Sequence, residues 1–214
     1  MSSTVPGKLT GKITLVTGAS RGIGKGIAKQ LGAAGATVYI TGRSKSTLDD
    51  CCKEINKAGG IAKPVVVDHS NDAEVEELFN RIAKENDGKL DLLVNNAYAG
   101  VTTIQESRGK KFYDTPAAGV WDTINGVGLR NHYLCTVFAS RIMTKRQSGL
   151  IINISSPGGL KYLFNVAYGI GKVACDRMAN DCAVELKDKN VTMISLWPGP
   201  VLTELVSEGI ASKR

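Results

Sequence analysis

The sequence predicts a three-layer α/β fold, a doubly wound parallel sheet with helices on both faces. Three observations carry this. Short β-branched runs alternate with longer segments of helical period, several of the runs are apolar almost throughout, and a glycine-rich stretch joins the first run to the first helix. Runs apolar on both sides belong in a sheet covered on both faces. Right-handed crossovers then place a ligand beyond the carboxyl ends of the strands, where the strand order reverses.

In chain order, KITLVTG leads into a helix from Gly24 to about Ala34, TVYITG into one from Ser46 to Lys57, and KPVVVD into one from Asp72 to Asn86. In the last of these, Val75, Leu78, Phe79 and Ile82 stand at i, i+3, i+4 and i+7, a single apolar stripe. LDLLVNNA, GLIINIS and VTMISLWPG follow as strands, with long helices expected at about Trp121 to Thr144 and Tyr168 to Lys187. The least regular segment, Ala99 to Ala118, mixes Gly, Ser, Thr, Pro and charged residues; a connection of that length is usually functional or mobile.

At 214 residues and 43% hydrophobic, the chain can bury a sizeable core, and residues 1–214 read as one domain. Cys51, Cys52, Cys135, Cys175 and Cys182 make an odd number without CxxC spacing, and the sequence does not open on a cationic stretch followed by an apolar one. Both features point to a reducing setting inside the cell. No apolar run approaches the roughly 18 to 20 residues that cross a bilayer, so no membrane-spanning segment is expected; the expected location is intracellular, the cytoplasm with association to the endoplasmic reticulum left open. The net charge of +7 is spread along the chain, with small clusters only at Arg108–Lys111 and Lys213–Arg214, so no nucleic-acid partner is expected. His69 and His132 stand far apart without metal-ligand spacing, and no metal is expected.

TGASRGIG, Thr17 to Gly24, follows the first strand and opens the first helix. Its glycines let the backbone turn tightly and approach a pyrophosphate, to which the helix start offers free N–H groups and a positive dipole end. Gly18, Ser20, Arg21, Gly22, Ile23 and Gly24 are the candidate cofactor contacts there. At the end of the second strand an acidic residue would suit a free ribose hydroxyl; the sequence has Gly42 and Arg43 instead. With Arg21, this favours NADP over NAD, because guanidinium matches phosphate geometry.

YGIGK places Tyr168 and Lys172 at i and i+4, on one face of a helix. A cation beside a phenol favours the phenolate and lowers its pKa, so the pair could shuttle a proton near neutral pH.

Together these motifs resemble the short-chain dehydrogenase/reductase family, over Lys8 to Glu204. TGASRGIG is similar to its cofactor loop, Asp68 in VVVDHS to its adenine contact, and Asn95-Asn96-Ala97 to its NNAG element. Ser156, Tyr168 and Lys172 resemble its Ser and Tyr-x-x-x-Lys constellation, and Pro198-Gly199 with Val201 and Thr203 the segment that holds the nicotinamide amide. The wording NVAYGIGKVACDRMANDCAVEL followed by SLWPG resembles one animal subgroup in particular. The resemblance implies a Rossmann-like NADP-dependent oxidoreductase that moves hydride between nicotinamide and a carbonyl or secondary alcohol, steroids and other lipophilic carbonyls being the substrates implied. Tyr168 would give the proton, Lys172 would lower its pKa and bind the nicotinamide ribose, and Ser156 would hold the carbonyl oxygen. Asp68, Asn95, Pro198, Val201 and Thr203 would contact cofactor alongside the loop. Ser155 adjoins Ser156, but alternate strand residues face opposite ways, so Ser156 is the choice.

Three departures stand out. Gly128 occupies the place of the family asparagine that supports a proton-relay water; Asn125 and Asn131, one turn to either side, are the candidates to replace it. Tyr98 replaces the glycine of NNAG. After Glu204 the chain lacks the family's substrate-binding helical region and seventh strand, so the expected fold is C-terminally short, with an uncovered sheet edge, and the expected assembly a homodimer. These departures carry the alternative function, a non-catalytic cofactor-binding or interaction protein.

Overall fold

The structure, a computed structural model, describes residues 7–204 and 207. Six parallel strands form one sheet: β1 (Ile13–Val16), β2 (Thr37–Gly42), β3 (Ile61–Val66), β4 (Leu92–Asn95), β5 (Gly149–Ile154) and β6 (Val191–Leu196), in spatial order β3-β2-β1-β4-β5-β6. The order reverses between β1 and β4, which are in register at Val16 and Val94. The crevice beyond their carboxyl ends is therefore where a ligand is expected.

The helices are α1 (Gly22–Ala33), α2 (Lys45–Lys57), α3 (Asp72–Glu85), α4 (Val101–Glu106), α5 (Ala117–Asn125), α6 (Asn131–Arg146) and α7 (Val166–Leu186). Side-chain caps fix three starts. Ser44 accepts from Thr47 N–H at α2, Asn71 from Ala73 N–H at α3, and Asn165 from Tyr168 N–H at α7. The expected helix from Trp121 to Thr144 is instead α5 and α6 joined by a π turn, Gly126–Arg130. Such a wide turn inside a helical run is frequent at functional sites. The segment expected to be irregular contains α4 and a single 3₁₀ turn at Phe112–Asp114.

Two apolar layers sandwich the sheet. On one face Leu15, Tyr39, Leu93, Ile151 and Met193 pack with α3, α6 and α7, including the predicted stripe Val75, Leu78, Phe79 and Ile82. On the other, Val16, Val38, Ile40 and Val94 pack against Ala28 of α1 and Leu48, Cys51 and Ile55 of α2. Burying one such aliphatic side chain contributes roughly 1.5 to 3 kcal/mol.

Only the inner strands are covered on both faces. In β6, Val191 and Met193 are buried while Ile194 and Leu196 remain 40% and 42% exposed, which corrects the expectation drawn from its apolar composition. β6 is the edge of the described sheet, and the buried face is the one turned to α7. At the opposite edge β3 carries Pro64, which an edge strand accommodates because one side of its ladder is unpaired. No helix among the described residues is long and apolar enough to cross a membrane.

Candidate active site

The first half of the site is the loop between β1 and α1. Gly18 and Gly22 have φ of +63° and +58°, where a side chain would be strained. A Cβ at Gly18 would stand 2.8 Å from Ala97 Cα, and one at Gly24 would stand 2.5 Å from Gly18 O and press on the Asn96 amide. Asn96 Nδ2 donates to Thr17 O (2.9 Å) and Gly18 O (3.0 Å), while Thr17 Oγ1 accepts from Asn96 N and Ala97 N, both at 3.0 Å. The carboxyl ends of β1 and β4 are thereby tied together. Behind the loop, Thr41 Oγ1 accepts from Gly18 N (3.1 Å) and pairs with His69 Nε2 at 2.7 Å.

Ser20 lies against Gly42, and Ile23 is half-buried in the first turn of α1. Arg21 and Arg43 are exposed and, among the described residues, neither is paired with a carboxylate. Asp68 Oδ1 accepts from Ser70 N (2.9 Å) and Ser70 Oγ (2.7 Å). Those bonds, with the Arg43 guanidinium nearby, hold its carboxyl below the usual range. At the start of α1, Gly22 N donates to Glu204 Oε2 at 2.8 Å, so a carboxylate sits on the helix N-terminus. Thr203 packs over Gly22, Pro198 is half-buried and Val201 is 43% exposed.

The second half stands at the ends of β4 and β5. Ser155 is buried and donates to Lys172 O (3.1 Å), whereas Ser156 Oγ accepts from Gly158 N (3.1 Å) and also bonds the Tyr168 phenol. The strand's alternation thus separates the two serines, with Ser156 on the side of the phenol. Tyr168 and Lys172 are 8% and 7% exposed. Lys172 Nζ donates to Ile154 O at 3.0 Å and lies 5.8 Å from the centre of the Tyr168 ring.

The electrostatics differ from the expectation of a phenol drawn down by the ammonium. Burial pushes Tyr168 above its ordinary value, opposed by the hydrogen bond from Ser156, and burial pushes Lys172 below its own. Burial is the largest cause of both shifts, because losing water disfavours the charged form of each group.

Asn95 is not turned to the cleft. Its Nδ2 donates to His132 O (3.3 Å), Thr136 Oγ1 (3.0 Å) and Asn153 Oδ1 (2.9 Å), which fixes α6 and β5 to β4. The neighbouring Asn96 is the one that shapes the glycine loop, and only its place in the NNA element hints at this. Nothing in the sequence marks Thr41 and His69 as a pair, nor Glu204 as a partner of Gly22, since these contacts join distant segments. Of the two asparagines flanking Gly128, Asn125 Nδ2 donates to Ala167 O (3.2 Å), and Asn131 Oδ1 accepts from Cys135 Sγ (3.5 Å). Neither amide is a hydrogen-bond partner of Lys172 among the described contacts.

Beside this cluster an open cleft is lined by Phe112, Trp121, Tyr162, Val166 and Ile170, with Lys110 and Asn165 at its polar positions. The cleft joins the long connection before α5 to the start of α7.

Comparison with known proteins finds a matching family and solved relatives. The short chain dehydrogenase family profile matches residues 12–213. Dehydrogenase/reductase SDR family member 1 of Homo sapiens is 55% identical over 96% of this chain; the chain spans 66% of that relative's length. Among solved structures, a metagenomic short-chain oxidoreductase in complex with NADP is 33% identical, with a TM-score of 0.81, covering 90% of this chain and 84% of its own. A 7α-hydroxysteroid dehydrogenase complexed with NADH and 7-oxo glycochenodeoxycholic acid is 27% identical, with a TM-score of 0.83, covering 94% of this chain and 75% of its own.

Proposed function

The chain belongs to the short chain dehydrogenase family, and from that premise we propose that it is an NADP-dependent oxidoreductase acting on a carbonyl or secondary alcohol of a lipophilic substrate. The observation that carries the reading is the convergence of Ser156, Tyr168 and Lys172 at the end of β5 beside the glycine loop of β1.

The residues present fit a dinucleotide. The glycine loop leaves no room for side chains, and the α1 N-terminus takes an anionic oxygen, that of Glu204, on Gly22 N–H. Gly18, Ser20, Arg21, Gly22, Ile23 and Gly24 would hold the pyrophosphate and its surroundings, and Asp68 the adenine. Pro198, Val201 and Thr203 would lie along the nicotinamide end. Arg43, exposed at the end of β2 with Arg21 in the adjoining loop, supports the choice of NADP, as does the NADP in the metagenomic relative. When bound, the nicotinamide supplies or accepts the hydride.

The chain's own groups handle the oxygen and the proton. Ser156 Oγ orients the carbonyl oxygen by a hydrogen bond. Tyr168 gives its phenolic proton to that oxygen in reduction and takes it back in oxidation. Its raised pKa keeps the phenol protonated in the absence of other ligands, which suits a proton donor. Lys172 keeps two N–H groups beyond the one given to Ile154 O, available to ribose hydroxyls. The apolar cleft at Trp121, Tyr162 and Ile170 supports a lipophilic substrate. Exposed Tyr133 on α6 and exposed Val173 and Val184 on α7, all outside the cleft, support a homodimer through the two long helices, which light scattering would test.

The test of function is single-turnover oxidation of NADPH by the 214-residue chain against a panel of lipophilic ketones. Hydride transfer that disappears in Tyr168→Phe is expected; cofactor binding without transfer to any ketone would defeat the reading in favour of a binding protein.

A further inference from the structure

Two departures from the family pattern, Tyr98 in place of a glycine and Gly128 in place of an asparagine, lie 30 positions apart in the sequence and meet in space. A Cβ at Gly128 would stand 2.6 Å from Tyr98 Cδ2 and 2.7 Å from Cε2, and one at Gly100 would stand 2.5 Å from the Tyr98 hydroxyl oxygen. The ring therefore occupies the space that a side chain at 128 would fill, and it fits only because both glycines are bare. The π turn at Gly126–Arg130 forms this wall of the space.

The ring reaches the reacting groups. Its centre lies 5.1 Å from Lys172 Nζ, nearer than the Tyr168 ring, and it stands edge-on to Tyr168 at 6.3 Å and 81°. Within about 6 Å of an aromatic face a cation is attracted by the ring quadrupole, most strongly where water is excluded, and Lys172 is 7% exposed. The edge-on contact limits where the Tyr168 ring can tilt. Among the described residues the buried Tyr98 hydroxyl has no hydrogen-bond partner, and the contacts with Lys172 and Tyr168 are made by the ring.

We propose that Tyr98 is a positioning residue, whose ring takes the place of the missing side chain at Gly128 and holds the Lys172 ammonium against Tyr168. The inference rests on the roles assigned above to Lys172 and Tyr168. The titratable and charged groups around Lys172 are Tyr168, Cys175 and Asp176 on α7, Tyr98 on the loop after β4, and His132 on α6. Burial pushes the Tyr98 phenol up and the His132 imidazole down, so both stay neutral near pH 7 and the ring face remains the feature that favours the ammonium from that side.

The experiment compares the unmodified chain with Tyr98→Phe, which keeps the ring, and Tyr98→Leu, which keeps apolar bulk without it. Two readouts are taken: the ¹³C NMR titration of the Lys172 side chain without cofactor, and the pH profile of kcat with NADPH and a ketone. In Tyr98→Leu the ammonium loses its ring, so the Lys172 titration and the alkaline limb of kcat should move down by about one pH unit. The kcat near neutral pH should fall about tenfold, with KM changed only a few-fold. Tyr98→Phe should restore both. If Tyr98→Leu does not fold, Tyr98→Met, flexible enough to fill the same space, replaces it. Identical Lys172 titrations in the Leu (or Met) and Phe variants would overturn the proposal. Should the unmodified chain show no turnover, the enzymatic reading fails while the NMR titration still decides the role of Tyr98.

Discussion

At the glycine-loop end of the cleft, Gly18 is crowded by Ala97 Cα and Gly24 by Gly18 O as well as the Asn96 amide, whereas at the Tyr168 end Gly100 and Gly128 are crowded chiefly by one aromatic side chain, Tyr98. The first pair stands in TGASRGIG, whereas nothing in the sequence marks Gly100 as a neighbour of Gly128. The physical meaning of the two pairs differs, because backbone held in a strand-to-helix turn cannot retreat, while a side chain can be exchanged for a smaller one. The first pair lets the loop backbone close on Ala97 and on itself, and the second makes space that the Tyr98 ring fills. One buried histidine backs each end. His69 pairs with Thr41 behind the glycine loop, and His132 Nε2 bonds Ala97 O (3.0 Å) behind Tyr98.

The largest effect that would separate the two ends is on chemistry. Tyr168→Phe should lower turnover by about 10³-fold while NADPH affinity, measured by fluorescence titration, stays within a few-fold. A matching loss of affinity would mean that the phenol belongs to the cofactor end.

Next comes crowding. Gly24→Ala should cost about 3 kcal/mol in denaturant unfolding and weaken cofactor, even after the roughly 1 kcal/mol that alanine gains in a helix. Gly128→Ala should cost about 1 to 2 kcal/mol, and Tyr98→Leu in the same chain should relieve part of it. Relief of the Gly24→Ala penalty by any single side-chain truncation would erase the distinction between the two pairs.

Acid should act on both ends at once. Burial lowers His69 from 6.5 to about 4 and His132 from 6.5 to about 3. These folded-state values lie below the unfolded one, so the unfolded chain takes up protons first as the pH falls. The stability contributed by the neutral rings is complete above about pH 6.5 and declines towards those lower values. Between pH 6.5 and 5.5 the two rings together should cost about 2 kcal/mol, visible as a falling melting temperature. His132→Gln should remove about half of that pH slope.

The smallest effect is the cofactor choice. Arg43→Ala should weaken NADPH by about tenfold and leave NADH nearly unchanged. Equal affinity of the unmodified chain for the two cofactors would withdraw Arg43 from the site.

The sequence by itself determined what depends on short spacings. The alternation of strands and helices, the α3 stripe from Val75 to Ile82, the turn and helix start in TGASRGIG, and the shared face of Tyr168 and Lys172 all follow from periods of 2 and 3.6 residues acting within a few positions. That Ser155 and Ser156 have different partners follows from the same alternation. Only the tertiary structure decided what depends on distant segments meeting. It turned Asn95 inward to α6 and gave the loop contact to Asn96, and it set the Glu204 carboxylate on Gly22 N–H. It also placed the Tyr98 ring in the space beside Gly128, and by burying Tyr168 raised a phenol that the nearby lysine alone would have lowered. Burial and close approach are properties of the packed whole, and no local spacing encodes how much water a side chain will lose.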